Sequence, residues 1–177
     1  ALLVVDTDNA DPRPLGIDWS PDGRRLAFHA TNEKNTDIYV VNADGKHLKR
    51  ITEHEGVDSW PAWHPGGQKL AITSDRDGNL EIYLATDAGN IIANLTNDPA
   101  PDKMPSWSPD GRRIAFASKR GKTLGDIYVM NSDGQNPVNF TNNKGEDIQP
   151  EFSHDGERIG WITRRDGTGN VWVMDAE

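Results

Sequence analysis

Short apolar runs alternate with polar, Gly- and Asp-rich segments along the whole chain. Leu2–Val5 and Ile38–Val41, four residues each, are among the longest. One set of runs reads Leu26-Ala27-Phe28, Leu70-Ala71-Ile72, Ile114-Ala115-Phe116 and Ile159-Gly160-Trp161. After a polar loop comes a second set: Ile38 to Val41, Ile82 to Leu84, Ile127 to Met130 and Val171 to Met174. A weaker third set ends in Ile51-Thr52, Leu95-Thr96 and Phe140-Thr141. These runs are β-branched or aromatic and bounded by Gly, Asp, Asn or Pro, which predicts strands joined by hairpins. The Asp-Gly pairs suit tight turns that need positive φ. No stretch keeps a helical period. The pattern predicts an all-β chain.

The runs repeat in register. Trp19-Ser20-Pro21-Asp22-Gly23 returns as Trp107-Ser108-Pro109-Asp110-Gly111, with looser copies at Trp63-His64-Pro65-Gly66-Gly67 and Phe152-Ser153-His154-Asp155-Gly156. The aromatic positions are spaced by 44, 44 and 45 residues. Four strands per unit of roughly 40–45 residues is the signature of a propeller blade. The segment Pro105 to Asn131, with Trp-Ser-Pro-Asp-Gly, Ile-Ala-Phe and Asp-Ile-Tyr-Val-Met-Asn in order, closely resembles the TolB-type propeller repeat, a relative of the WD-repeat family. The resemblance covers essentially the whole chain. It implies a scaffold that binds proteins or peptides, and a periplasmic or extracellular setting. In TolB the propeller has six blades behind a separate N-terminal domain and binds lipoprotein and translocating peptide segments. The same repeat also occurs in peptidases, lyases and surface proteins, so the resemblance specifies fold more than function.

The register divides the chain into 9–52, 53–96, 97–141 and 142–177, one domain over residues 1–177. The last copy stops after its third strand, while residues 1–8 align with an outermost strand. The expectation is a propeller of four blades, each of four antiparallel strands, with the N-terminal strand closing the last blade and removing an open edge. A monomer is expected over a homodimer. A larger propeller of which this chain is a part, and an eight-bladed pair of chains, are the alternatives. The chain begins at Ala1, which fits processing or excerpting.

Charge and composition narrow the partners. There are 19 basic residues against 28 acidic ones, a net charge of -9. Nucleic acid is therefore a poor partner, since phosphate binding uses clustered Lys and Arg. A membrane-spanning helix needs about 20 apolar residues, and no run approaches that. With no cysteine, disulfides, thiol catalysis and cysteine zinc sites are excluded. No Gly-x-Ser-x-Gly elbow is present.

Three readings of chemistry remain. Asp58, Asp102 and Asp147 stand five residues before their aromatics, with Pro14 in the first copy. They could gather at the channel mouth as a cation site, suited to Ca²⁺, or cap their own loops. Otherwise no cofactor is expected. Trp60 has no aromatic counterpart in the other copies and is the candidate ligand-contacting aromatic. Trp19, Trp63, Trp107, Phe152 and Trp161 read as packing between blades, Asp22 and Asp110 as turn residues, and the five histidines as unclustered. The leading expectation is a non-catalytic scaffold binding a protein or peptide through its top face or channel. The alternatives are a lyase or hydrolase with a carboxylate-lined channel mouth, and a structural surface-layer repeat.

Overall fold

The structure, a computed structural model, describes residues 16–31, 35–121 and 123–177. They form a four-bladed β-propeller without a helix among the described residues. Blade 1 holds β1 (Ile17–Trp19), β2 (Arg25–Thr31), β3 (Thr36–Asn42) and β4 (Lys49–Arg50). Blade 2 holds β5 (Asp58–Trp63), β6 (Lys69–Ser74), β7 (Glu81–Thr86) and β8 (Ile91–Asn94). Blade 3 holds β9 (Asp102–Trp107), β10 (Arg113–Ser118), β11 (Asp126–Asn131) and β12 (Val138–Asn139). Blade 4 holds β13 (Asp147–Phe152), β14 (Arg158–Thr163) and β15 (Asn170–Asp175). Within each sheet the strands pair antiparallel in chain order. The expected closing strand at residues 1–8, like Pro14, lies outside the described residues.

The repeated residues build repeated joints. In each Ser-x-Asp-Gly turn the serine hydroxyl donates to the aspartate, at 2.7 Å for Ser20–Asp22 and 2.6 Å for both Ser108–Asp110 and Ser153–Asp155. This lowers the three carboxyls below the usual range and supports Asp22 and Asp110 as turn residues. At the outer edge, Thr52, Thr96 and Thr141 accept the backbone N–H of Ile38, Ile82 and Ile127 at 2.9, 2.9 and 3.0 Å. The same hydroxyls reach the buried acids Asp37, Glu81 and Asp126. A two-residue outer strand such as β4 is thus latched by a side chain where the ladder is too short to hold it.

Most of the core lies between blades, and one cluster, Phe28, Ala30 and Val41, lies within blade 1. Ala27, Ile38 and Val40 of blade 1 meet Trp63, Leu70, Ile72 and Tyr83 of blade 2. Ala71 and Ile82 of blade 2 meet Trp107, Ile114, Phe116 and Tyr128 of blade 3. Ala115 and Val129 meet Phe152 and Ile159, and Ala117 and Ile127 meet Ile148 and Trp161. Arginines seal two joints: Arg25 lies 4.6 Å from the Trp63 ring and pairs with Asp87 at 2.8 Å. Arg113 lies 5.4 Å from the Phe152 ring and donates to the Ala176 carbonyl. Trp63, Trp107, Phe152 and Trp161 are buried as interblade packing requires, but Trp19 is 53% exposed.

Close approach between blades also fixes a glycine. Gly89, in the turn from β7 to β8, has φ 93°, and a Cβ there would collide with the Ile51 carbonyl of blade 1. Gly89→Ala is expected to cost about 2 kcal/mol or more, from overpacking against backbone plus positive-φ strain. Gly78→Ala, at φ 107° with nothing within 4 Å, should lose only the conformational part, about 1 kcal/mol. Urea midpoints of the two variants test the difference.

Candidate functional site

The four inner strands surround one cavity of about 540 Å³. Their residues enter it by register. Immediately before the aromatic stand Asp18, Ala62, Ser106 and Glu151; two before, Ile17, Pro61, Pro105 and Pro150; three before, Gly16, Trp60, Met104 and Gln149. All twelve line the cavity.

The prolines shape this lining. Proline has no N–H to give to a ladder. In blades 2, 3 and 4 the inner pairing shifts register across the proline: between Ser59 and Ala62, between Ala115 and Ala117 opposite it, and between Ile148 and Glu151. The residue ahead of each proline takes positive φ: Trp60 at 51°, Met104 at 60° and Gln149 at 52°. Blade 1 is the internal control. Ile17 replaces the proline, and β1 pairs with β2 without a shift. Three large side chains are thus held in a backbone region that costs a non-glycine residue about 1–2 kcal/mol. Strain of this kind concentrates at binding surfaces.

Trp60 is half-buried. Its backbone N–H donates to His29 Nδ1 at 3.3 Å, and its ring lies 5.7 Å from the His29 ring. A Cβ on Gly16 would touch both rings, so glycine in blade 1 makes room for the indole of blade 2. Burial holds the His29 imidazole below its ordinary pKa, which suits the acceptor role of Nδ1. In the same cavity, Asp18 Oδ2 accepts the Trp63 N–H at 2.6 Å. Burial raises the Asp18 carboxyl against that bond. Glu151 is exposed to solvent in the channel, yet its carboxyl is also raised, first by the desolvation of the surrounding channel wall and then by the negative charge of Asp18, with a Ser106 hydrogen bond opposing. The channel therefore offers an aromatic and a thioether, Trp60 and Met104, together with two carboxyls, Asp18 of blade 1 and Glu151 of blade 4.

Asp58, Asp102 and Asp147 are placed differently from the expected cation cradle. They open β5, β9 and β13 and are fully buried, and none of them lines the cavity. Each meets an arginine eighteen residues on: Asp58–Arg76 at 3.0 Å, Asp102–Arg120 at 2.6 Å and Asp147–Arg165 at 3.4 Å. Each guanidinium also lies near an aromatic ring, Arg76 on Tyr83, Arg120 on Phe116 and Tyr128, and Arg165 on Trp172. Each of the three carboxylates is thus balanced by its own arginine. Among the described residues no three His, Asp or Glu side chains gather as a metal set.

Sequence reasoning singled out Trp60 but missed Asp18, Glu151, Met104 and Gln149. The signal was present in the same alignment, one and three places before each aromatic. The arginine partners were legible too, from the constant separation of Asp and Arg.

A ring of antiparallel repeats around a lined channel, three of four strands and one of three among the described residues, defines a β-propeller repeat protein. Residues 13–98 and 103–177 match the TolB beta propeller domain, and the chain belongs to that family. A Tol-Pal system protein TolB from Thioalkalivibrio sulfidiphilus is 40% identical over 67 residues, covering 33% of this chain and 15% of that protein. Its counterpart from Anaeromyxobacter dehalogenans is 36% identical over 56 residues, covering 28% of this chain and 13% of that protein. The chain thus matches only a small part of these curated relatives. A TolB structure from Agrobacterium tumefaciens superimposes with a TM-score of 0.86 at 26% identity, over 97% of this chain and 64% of that one. A puromycin hydrolase variant shares the fold at a TM-score of 0.70 and 16% identity, over 93% of this chain and 28% of that one.

Proposed function

We propose that this propeller is a non-catalytic scaffold that receives an extended protein or peptide segment in its central channel. The observation that carries the reading is the channel lining, in which Trp60, Met104 and Gln149 are held at positive φ and share one cavity with the Asp18 and Glu151 carboxyls. Varied residues on a rigid repeat framework are where binding resides, and an aromatic at a pocket centre is the usual anchor. The two carboxyls and the net charge of -9 favour a segment bearing a basic group. The curated relatives are components of the Tol-Pal system. By analogy the partner is an envelope protein, and the setting periplasmic.

Trp60→Ala is expected to weaken binding of Lys-containing extended peptides about tenfold, or about 1.4 kcal/mol. Titration calorimetry over a peptide panel measures this, with the thermal midpoint recorded alongside because the half-buried Trp60 ring also packs on His29. If neither Trp60→Ala nor Met104→Ala changes the affinity of any bound peptide, the channel reading is wrong.

A second reading, a channel enzyme using general acid–base chemistry, is favoured by the raised carboxyls of Asp18 and Glu151. It requires turnover that Glu151→Gln abolishes while peptide affinity persists.

A further inference from the structure

Seven Asp-Gly pairs stand in the turns of the chain. In six of them a donor holds the aspartate carboxylate. Asp22, Asp110 and Asp155 accept a serine hydroxyl. They also accept the backbone N–H two residues on, from Arg24, Arg112 and Glu157 at 3.1, 3.0 and 3.0 Å. Asp44 and Asp133 accept the same N–H, from Lys46 and Gln135, both at 3.0 Å. Such turns are the usual way a short acidic side chain binds its own backbone. Asp77 accepts the Tyr83 hydroxyl at 2.5 Å. Asp166 makes no hydrogen bond or ion pair among the described residues.

Asp77 and Asp166 occupy the same place, the tips of the β6–β7 and β14–β15 hairpins, and both are exposed. Exposure therefore does not separate them. The residue six places on does: Tyr83 in blade 2, Trp172 in blade 4. The phenol reaches back to Asp77, whereas the indole has no hydroxyl to offer, and Arg165 lies 4.0 Å from its ring. Arg165 is itself turned to Asp147. The turn differs as well. The Gly167 N–H reaches the Arg164 carbonyl at 3.1 Å, and the other six glycines make the same bond at 2.8 or 2.9 Å. A Cβ on Gly167 would meet nothing within 4 Å, so no neighbour confines this tip.

We propose that Asp166 is a modification site, at which aspartate converts spontaneously to isoaspartate while the other six Asp-Gly pairs are protected by their hydrogen bonds. The Gly167 nitrogen attacks Asp166 Cγ. A C–N bond forms, a carboxyl C–O bond breaks, and the hydroxyl of the protonated carboxyl leaves as water with the amide proton. Water then adds to the main-chain carbonyl of the resulting cyclic imide and breaks its bond to the Gly167 nitrogen. The chain now runs through the former side-chain carbonyl, with one more carbon in the backbone, a free α-carboxylate and no net change in mass. Attack requires the nitrogen and Cγ to meet. A held carboxylate must first give up its donor, and Asp166 has none to give up. The added carbon falls beside the Thr163–Asn170 pair that ends the β14–β15 ladder.

Ageing the whole folded chain in neutral buffer tests the proposal. Digestion with a protease that cuts before aspartate but not before isoaspartate, followed by mass spectrometry, reads each pair separately. Asp166 is expected to convert about tenfold faster than any of the other six, the worth of one hydrogen bond to a charged group. In the urea-unfolded chain all seven should convert at similar rates, because glycine follows every one. Asp166→Glu should remove the dominant signal. Tyr83→Phe deletes the hydroxyl that holds Asp77. With its fold checked by circular dichroism, this variant should bring Asp77 towards the rate of Asp166 while Asp22 and Asp110 stay slow. Equal rates at all seven pairs in the folded chain overturn the proposal. So does an Asp166 excess that persists in urea, since flanking sequence rather than the fold would then set the rate. An Asp77 that stays slow in folded Tyr83→Phe overturns it too, because loss of the donor would then not open an equivalent tip.

Discussion

Asp102→Ala should lower the unfolding free energy by about 3–5 kcal/mol, because it strands a mostly buried charge. Arg120 is 14% exposed, donates to Asp102 at 2.6 Å, and reaches Asp98 only at 3.5 Å. Removing Asp102 leaves the guanidinium facing Phe116 and Tyr128 with its closest acceptor gone. Asp102→Asn keeps an acceptor and should cost clearly less. Burial pushes the Asp102 carboxyl up to about 6 from 3.8 despite Arg120. The folded state then holds its proton to higher pH than the unfolded chain. This contribution to stability is fully present below about pH 4 and is lost as pH rises through about 6. In Asp102→Asn that part of the pH dependence should vanish. Urea unfolding of the three proteins at pH 4 and pH 7 checks both points. If Asp102→Ala unfolds like the wild type at neutral pH, the ion pair is not structural and the aspartate is free for a binding role.

Phe116→Ala should cost a similar amount, about 3–5 kcal/mol, through lost burial and the cavity left behind. Phe116 is fully buried on β10, against Tyr128 with ring centroids 5.9 Å apart, in the joint between blades 2 and 3. That joint is flanked on both sides, so little can collapse into the space. Phe28→Ala changes the equivalent residue of blade 1, which packs with Ala30 and Val41 beside partly buried Leu26 and Tyr39. Its neighbours can relax towards solvent, and its cost should be smaller. Thermal and urea midpoints of the pair measure the difference, and equal losses would mean that the seam beside blade 1 is as tightly packed as the interior joints.

The fold was readable because the repeat fixes strands, turns and packing with the same residues each time. Trp63, Trp107 and Phe152 show their interblade role by recurring before a Ser-Pro-Asp-Gly-like turn, and the structure buries all three. The candidate site was harder to read. Asp58, Asp102 and Asp147 recur for an equally regular reason, an arginine eighteen residues away, which a search for convergent carboxylates overlooks. Trp60 stood out by breaking the repeat. Asp18 and Glu151 also break it, but each looks like an ordinary polar residue on a strand until the ring brings blades 1 and 4 to one channel. Trp19 kept its sequence register and lost its burial, because its packing depends on what stands beside blade 1 and not on its own repeat.

The Asp–Arg pairs have one more consequence. Each closes inside a single blade, while the apolar joints always need the next one. A recombination event that inserts or deletes a whole unit of about 44 residues therefore leaves every buried charge with its partner. What it alters is the number of interfaces, and each new unit carries both a giving and a receiving face. The repeat can thus change copy number with these buried pairs intact, while contacts that cross to the next blade, such as the Arg25–Asp87 ion pair and the apolar joints, depend on which unit becomes the neighbour.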